Sequence, residues 1–166
     1  LETWYLGDMS GKAIASVLFG EYNPSGKLPI TFPRSVGQIP IYYNIKSTGR
    51  PAREDVKWSS KYLDSPNTPL YPFGFGLSYT QFEYSNFSVT TGSNSISDSI
   101  TVTVDVTNVG KYNGEEVVQL YTQDLFGSVT RPIKELKAFK KIKIDYYINE
   151  INNCASWKKN IEKMAE

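Results

Sequence analysis

One stretch constrains this chain more than any other: Leu70-Tyr-Pro-Phe-Gly-Phe-Gly-Leu-Ser-Tyr-Thr80. Pro72 fixes φ and lacks a backbone donor, while Gly74 and Gly76 permit φ > 0. The stretch therefore suits a turning connection better than a helix interior or a central strand. Its large side chains, Tyr71, Phe73, Phe75, Leu77 and Tyr79, alternate with Pro, Gly, Gly and Ser, which predicts one apolar side on an extended ribbon. Such a ribbon needs an apolar surface to lie on. It also separates two kinds of pattern, helical upstream and period-two downstream.

Upstream, Ile14, Val17 and Leu18 follow the i, i+3, i+4 rule beside Ala13 and Ala15. They predict a helix of about three turns that starts near Asp8 or Ser10 and ends at Gly20. Leu1 to Tyr5 reads as the end of a strand or an edge segment. Lys27 to Phe32, with Leu28, Ile30 and Phe32 alternating ahead of Pro33, reads as a second strand. Strand, helix, strand is the order of an α/β layer. From Arg34 to Pro69 no period appears, and Pro40, Pro51, Pro66 and Pro69 exclude long regular elements. Tyr42, Tyr43, Trp58, Tyr62 and Tyr71 argue for an ordered aromatic loop rather than a disordered one.

Downstream, Phe82, Tyr84 and Phe87 mark a first strand, and Ser93 to Ser99 a polar turn. Ile100, Val102, Val104 and Val106 alternate with Thr101, Thr103, Asp105 and Thr107, the clearest half-buried strand in the chain. After a turn at Asn108 to Gly114, Glu115 to Thr122 places Val117, Gln119 and Tyr121 on one face and Val118 and Leu120 on the other. Ile133, Leu136, Phe139, Ile142 and Ile144 outline a further strand region. Short strands separated by turns predict a β-sandwich of the fibronectin type III or immunoglobulin-like kind, with fewer strands than the roughly seven expected. The tail from Asp145 is rich in Asn, Lys, Ile and Glu. There Cys154, Trp157, Ile161 and Met164 have weak helical spacing, with Asn152 or Asn153 as the N-cap.

Composition narrows the chemistry. The net charge of +1 gives no argument for nucleic acid or an anionic membrane. No apolar run approaches the roughly 18 residues of a membrane span, and no charged-then-apolar leader opens the chain. Leu1 in place of a Met reads as a sequence lacking whatever preceded it, a signal peptide included. There are no histidines, so a Ser-His-Asp triad and a His-ligated zinc are excluded within the chain. Cys154 is alone and makes neither an internal disulfide nor a multi-Cys metal site. No metal and no cofactor are expected. Twelve tyrosines and 14% aromatic residues fit thick β packing and also surfaces that meet sugar rings. Gly74-Phe-Gly76 lacks the third glycine and following helix of a phosphate loop. Asn86-Phe-Ser88 reads as a chance glycosylation sequon, and Lys137, Lys140, Lys141 and Lys143 as a solvated sheet face.

Several runs, in order, resemble the C-terminal part of glycoside hydrolase family 3, most closely its bacterial periplasmic β-glucosidase branch. They are Gly11-Lys-Ala-Ile-Ala-Ser-Val-Leu-Phe-Gly20, Tyr22-Asn-Pro-Ser-Gly-Lys-Leu-Pro-Ile-Thr-Phe-Pro-Arg34, Gly37-Gln-Ile-Pro-Ile-Tyr-Tyr-Asn44, Thr48-Gly-Arg-Pro51 and Tyr62-Leu-Asp64. The likeness continues through the Leu70 to Thr80 stretch, Gly114-Glu-Glu-Val-Val-Gln-Leu-Tyr121 and Arg131-Pro-Ile-Lys-Glu-Leu136, and covers Leu1 to about Ile144.

The resemblance implies an N-terminal (β/α)8 barrel, a middle α/β sandwich and a C-terminal fibronectin III-like domain, with this chain truncated at both ends. The implied fold class is α/β plus all-β. Residues 1–33 would be the end of the α/β sandwich domain and 34–80 an aromatic connecting region. Residues 81–144 would form a partial fibronectin III-like domain, and 145–166 a divergent tail that a frameshift, a gene-model error or a truncation read-through in an AT-rich coding sequence would explain. The resemblance also implies a retaining mechanism with an Asp nucleophile on the barrel and a Glu acid/base in the middle domain, both upstream of Leu1. No catalytic residue is therefore expected here. Asp8, Glu21, Glu54, Asp55, Asp64, Glu115 and Glu116 read as solvated charges or as turn and cap acceptors.

The implied parent hydrolyses β-linked glucosides or oligosaccharides and is periplasmic or secreted. Its partners are that substrate and the missing barrel, with no nucleic acid and no membrane. Within the aromatic loop, Tyr42, Tyr43, Asn44, Arg50 and Trp58 are candidates to border the substrate cleft, with Tyr43, Arg50 and Trp58 foremost. The other reading of these residues is packing against the barrel. For the whole chain, the alternative is a non-catalytic carbohydrate-binding or adhesive β-sandwich module. The helix and strand at Asp8 to Phe32 speak against that, since a free sandwich has no use for an isolated strand–helix–strand unit. Exposed apolar faces and unpaired strand edges are expected to leave the chain prone to aggregation.

Overall fold

The computed structural model describes residues 1–53, 55–91, 99–146 and 154–160, with backbone alone at 91, 99 and 154–160. Its elements are α1 (Ser10–Leu18), a short 3-10 turn (Val36–Gln38), β1 (Phe82–Thr91), β2 (Ser99–Asn108), β3 (Gly114–Thr122), β4 (Glu135–Ile144) and β5 (Cys154–Asn160). The chain divides into two compact units. One comprises Leu1–Ser25, Leu77–Val118 and Lys140–Glu166, the other Gly26–Gly76 and Gln119–Phe139. Helix and strands together give the mixed class that the sequence predicts.

In the first unit β2 is the central strand, as its alternation demands. It pairs antiparallel with β1, from Phe82↔Asn108 to Thr91↔Ile100, with one irregularity between Ser85 and Ser88. Asn86 sits at that bulge with φ +50, a conformation asparagine tolerates better than most residues. Its Nδ2 donates to Asp105 Oδ2 at 2.8 Å. The other edge of β2 takes β5, with Val102↔Trp157 and Asp105↔Cys154 in register.

This strand corrects the helical reading of the tail and the expectation that no strand returns there. Cys154 and Trp157 are three apart, which fits a helix, but β2 presents an open row of donors and acceptors that only an extended partner satisfies. Ile161, Met164, Asn152 and Asn153 lie outside the described residues, as does the polar turn expected before Ser99.

The order β1-β2-β5 forms one sheet and β3-β4 a second. Val104 and Val106 from the first sheet meet Val118, Ile142 and Ile144 from the second, with Phe82 packed against them. That face-to-face cluster is the sandwich core. Residue alternation along β3 buries Glu116 on the same face as Val118, so this acid is not the solvated charge expected from sequence. The Tyr84 hydroxyl donates to Glu116 Oε1 at 2.9 Å. Burial, then the adjacent carboxylate, push the Tyr84 phenol well above the ordinary tyrosine range.

Asn108 closes the end of the sandwich. Only 6% exposed, it accepts from Thr80 Oγ1 at 2.6 Å and from the Gly110 backbone N–H at 3.1 Å. Its Nδ2 donates to Tyr112 O at 2.8 Å and to Ile144 O at 3.2 Å. One amide thus ties the end of β2 to the end of β4, to the following turn and to the segment entering β1.

A second knot lies at Asn23. Its Oδ1 accepts from Ser78 Oγ and the Tyr79 N–H, both at 2.8 Å, and its Nδ2 donates to Asn113 O at 2.9 Å. Nearby, Lys141 Nζ lies 2.6 Å from Glu115 Oε2, which also accepts from Ser25 Oγ at 3.2 Å and from Tyr22 Oη at 3.4 Å.

The helix forms where expected, and Gly20 ends it with φ +81. Ile14 and Val17 are half-buried, whereas Leu18 is exposed. The Tyr79 hydroxyl donates to Val17 O at 2.7 Å. The strand expected at Leu1 to Tyr5 does not form. A strand exists only through its neighbours, and no described segment pairs with this one.

Replacing Asn108 by Ala leaves the Tyr112 and Ile144 carbonyls and the Thr80 hydroxyl without this partner. At about 1–3 kcal/mol for each buried group left unsatisfied, the variant is expected to lose roughly 2–4 kcal/mol, read as a lower urea midpoint.

The Glu115–Lys141 pair makes stability depend on pH. Lys141 holds the Glu115 carboxyl below its ordinary value, opposed by burial and helped by Ser25 and Tyr22. That contribution is complete above the unfolded carboxyl range and is lost as pH falls through the lowered folded value. The Lys141 ammonium is raised, first by its bond to Glu115, so its contribution is lost only as pH climbs above the ordinary lysine range. Thermal midpoints of the native chain and of Glu115→Gln should therefore converge in acid and differ near neutrality.

Candidate functional site

The second unit contains the aromatic loop. Within it Leu70 to Phe75 runs beside Leu28 to Phe32. Leu28 N donates to Phe75 O, Gly74 N to Leu28 O and Phe32 N to Tyr71 O, each at 2.8 Å, and Leu70 N to Phe32 O at 2.9 Å. Only the Phe32↔Tyr71 bridge is regular. The strand expected at Lys27 to Phe32 is therefore reduced to contacts at its two ends. Pro29 and Pro72 supply no amide donors to join them.

The apolar ribbon is corrected as well. Phe75 N donates to Pro72 O at 3.1 Å, and Gly74 has φ +80, the conformation that the third position of a type II turn requires. The turn kinks the segment without reversing it, since Tyr71 and Phe75 still face Phe32 and Leu28 in one antiparallel register. Tyr71 stacks on Phe75 with centroids 5.1 Å apart and planes 26° apart, while Phe73 stacks on Tyr43 at 4.2 Å and 16°. Leu77, beyond the turn, is exposed.

The two glycines serve different ends. Gly74 accepts at its carbonyl from Gln119 Nε2 at 3.0 Å, and the Tyr121 hydroxyl donates to Gln119 Oε1 at 2.5 Å. Those two side chains fill the space a Cβ at 74 would need. Gly76 has no positive φ, and a Cβ there would collide with the Gly26 carbonyl. It is glycine for close approach, not for turn geometry.

The three foremost candidates lie apart in their contacts. Tyr43, besides stacking on Phe73, meets Tyr121 edge-on at 6.3 Å and 69°, and its Oη accepts from the Leu136 N–H at 3.5 Å. Lys134 Nζ sits 4.0 Å over the Tyr121 ring. Arg50 is exposed, and its carbonyl accepts from Ser60 N at 3.4 Å. Trp58 is 73% exposed, with Lys57 Nζ 4.9 Å from its ring centroid.

The loop is ordered by two amides. Gln38, 2% exposed, accepts from Arg34 N at 2.6 Å and donates to Pro66 O at 2.9 Å. Asn67 accepts from Tyr62 N at 3.0 Å and donates to Ser60 O at 2.9 Å.

Between these ties lies an open depression of about 960 Å³ whose walls include Arg53, Asp55, Lys57, Lys61, Tyr62 and Asp64. Arg53 and Asp55 form a two-bonded ion pair at 3.2 and 2.7 Å. Neither Tyr43, Arg50 nor Trp58 lines it. Sequence reasoning chose Tyr42, Tyr43, Asn44, Arg50 and Trp58 and read Asp55 and Asp64 as solvated charges or turn acceptors, because charges in a loop carry no periodic signal. The run Tyr62-Leu-Asp64 was the one hint.

The carboxyls with displaced acidity are displaced downward. Glu135 is held low by its partner Lys137, with Arg131 contributing, as Glu115 is by Lys141. Such groups are ionised acceptors near neutral pH, the opposite of what a general acid requires. Among the described residues, no cluster of three His, Cys, Asp or Glu is placed to hold a metal, and no helix is long and apolar enough to cross a membrane.

Residues 1–79 match the glycosyl hydrolase family 3 C-terminal domain, and residues 116–146 the fibronectin type III-like domain. The chain belongs to glycosyl hydrolase family 3. What it matches is the family's C-terminal region. It is 54% identical over 144 residues to the periplasmic β-glucosidase of Salmonella typhimurium, covering 86% of this chain and 19% of that protein. It is 43% identical over 145 residues to a putative β-xylosidase of Formosa agariphila, covering 87% and 18%. The solved β-glucosidase of Listeria innocua in complex with glucose superposes with a TM-score of 0.88 at 39% identity, covering 97% of this chain and 22% of that one. The family 3 chain thus spans about a fifth of the length of the relatives it matches.

The loop packing gives a paired test. Gly76→Ala is expected to cost about 1–3 kcal/mol, because backbone must move to admit the methyl group. Gly49→Ala, with open space around it, should change stability by less than about 0.5 kcal/mol. Urea midpoints of the two variants measure the contrast.

Proposed function

We propose that this family 3 chain is the accessory C-terminal part of a retaining β-glucosidase-type hydrolase. The intact enzyme acts on β-linked glucosides or short oligosaccharides in the periplasm or outside the cell. The observation that carries the reading is the ordered match to both family domains across a chain that spans a fifth of its relatives.

Retention needs two carboxyls about 5–5.5 Å apart, one nucleophilic and one protonated near neutral pH. We assign that pair to an N-terminal barrel and an upstream part of the α/β domain, in the portion of the relatives that this chain does not match. The downward displacement of Glu115 and Glu135 supports this assignment. Structures of the Listeria innocua enzyme with glucose and with laminaribiose support the substrate class. The name of the Salmonella relative supports the compartment. The proposed boundaries are the end of the α/β domain at 1–33, the connecting region at 34–80, the fibronectin III-like part at 81–144 and the divergent tail at 145–166.

Arg50 and Trp58, exposed on the ordered loop, are proposed to border the substrate cleft of the intact enzyme. Tyr43 is proposed as support beneath that border, through its stacking on Phe73.

Two assays test the reading. The purified chain alone should not turn over an aryl β-glucoside above a buffer blank, and reproducible turnover would sink the proposal. Grafted in place of the matching region of the Salmonella periplasmic β-glucosidase, the chain should support glucoside hydrolysis. In that chimera Trp58→Ala should raise KM several-fold with kcat little changed, whereas loss of soluble protein would mark Trp58 as a packing residue.

A further inference from the structure

The turn before β3 contains the dipeptide Asn113-Gly114, the one asparagine in the sequence that is followed by glycine. Asn113 is exposed, whereas Gly114 is buried. The fold fixes both residues. A Cβ at position 114 would press on Thr80 Cγ2, Asn23 Nδ2 and Phe82 Cζ, within 2.9 to 3.0 Å, so the sandwich holds a glycine there. Asn113 accepts through both of its oxygens: its backbone O from Asn23 Nδ2 at 2.9 Å, and its Oδ1 from the Tyr146 N–H at 3.1 Å.

We infer that Asn113 is a site of spontaneous, non-enzymatic modification, converting through a cyclic imide to aspartate and isoaspartate in the folded chain. The Gly114 backbone nitrogen attacks Asn113 Cγ. The new N–C bond forms, the Cγ–Nδ2 bond breaks, and ammonia leaves with the proton that Gly114 gave up. Water then opens the imide at either carbonyl.

Glycine removes the side chain that would otherwise shield the attacking nitrogen. The Tyr146 N–H already points at the oxygen on which negative charge develops, an oriented donor of the kind that stabilises a tetrahedral intermediate. The isoaspartyl product carries one extra methylene in the main chain at the entry to β3. That displaces the carbonyl held by Asn23 and loosens the knot joining the Tyr22 to Ser25 turn to the sandwich. The same packing that requires Gly114 thus builds in a slow clock of chemical ageing.

The test needs no variant. The folded chain is incubated at mildly alkaline pH and sampled by peptide mapping with mass spectrometry, and isoaspartate is scored with an isoaspartyl methyltransferase. The Asn113 peptide should gain the acid form and methyl acceptance before any other asparagine peptide. An Asn113→Gln chain should remain unmodified at that site. The deamidated material, separated by its added negative charge and scored for its isoaspartyl content, should melt below the starting material. Retention of the amide at Asn113 while other asparagines convert would overturn the inference, as would conversion seen only in urea.

Discussion

The sandwich unit depends on one buried amide. β2 and β4 belong to different sheets, and their ends must be brought together without leaving main-chain groups dry and unpaired. Asn108 does this because an amide offers two donors and two acceptors, and here it bonds to Tyr112, Ile144, Thr80 and Gly110. An apolar residue would fill the volume and strand those partners. An aspartate would bring charge and lose the donors. The valines on β2 are three of the six buried hydrophobic residues among those described, but they do not choose which end of β4 they meet; Asn108 fixes that.

Among the described residues the loop unit has no comparable core, and it relies on a different device, backbone brought against backbone. Gly76 lets the chain pass the Gly26 carbonyl, and Gly74 lets it turn close against Gln119 and Tyr121. Gln38 and Asn67 then satisfy loop groups that no ladder reaches. Order is thereby maintained over a long irregular stretch without regular secondary structure. The stretch leaves Arg50 and Trp58 exposed.

The acids illustrate how environment assigns roles. Glu115 and Glu135 are pinned by lysines and stay ionised, and Glu116 is buried opposite a tyrosine. Carboxylates arranged in this way hold structure together.

Much was legible in the residues themselves. The β2 alternation, the helix closed by Gly20 and the ordered runs shared with the family are local or near-local patterns, and the periods of 3.6 and 2 report them directly. The tertiary structure alone decided the rest, because it turned on partners distant in sequence. β5 is a strand because β2 had an open edge. Lys27 to Phe32 is not a regular strand because Pro29 within it and Pro72 in its partner supply no amide donors. Gly76 is required by a carbonyl fifty residues upstream, and Glu116 is buried because β3 turns that face to the other sheet. A sequence records which groups must be satisfied, but only the folded chain shows which neighbours satisfy them.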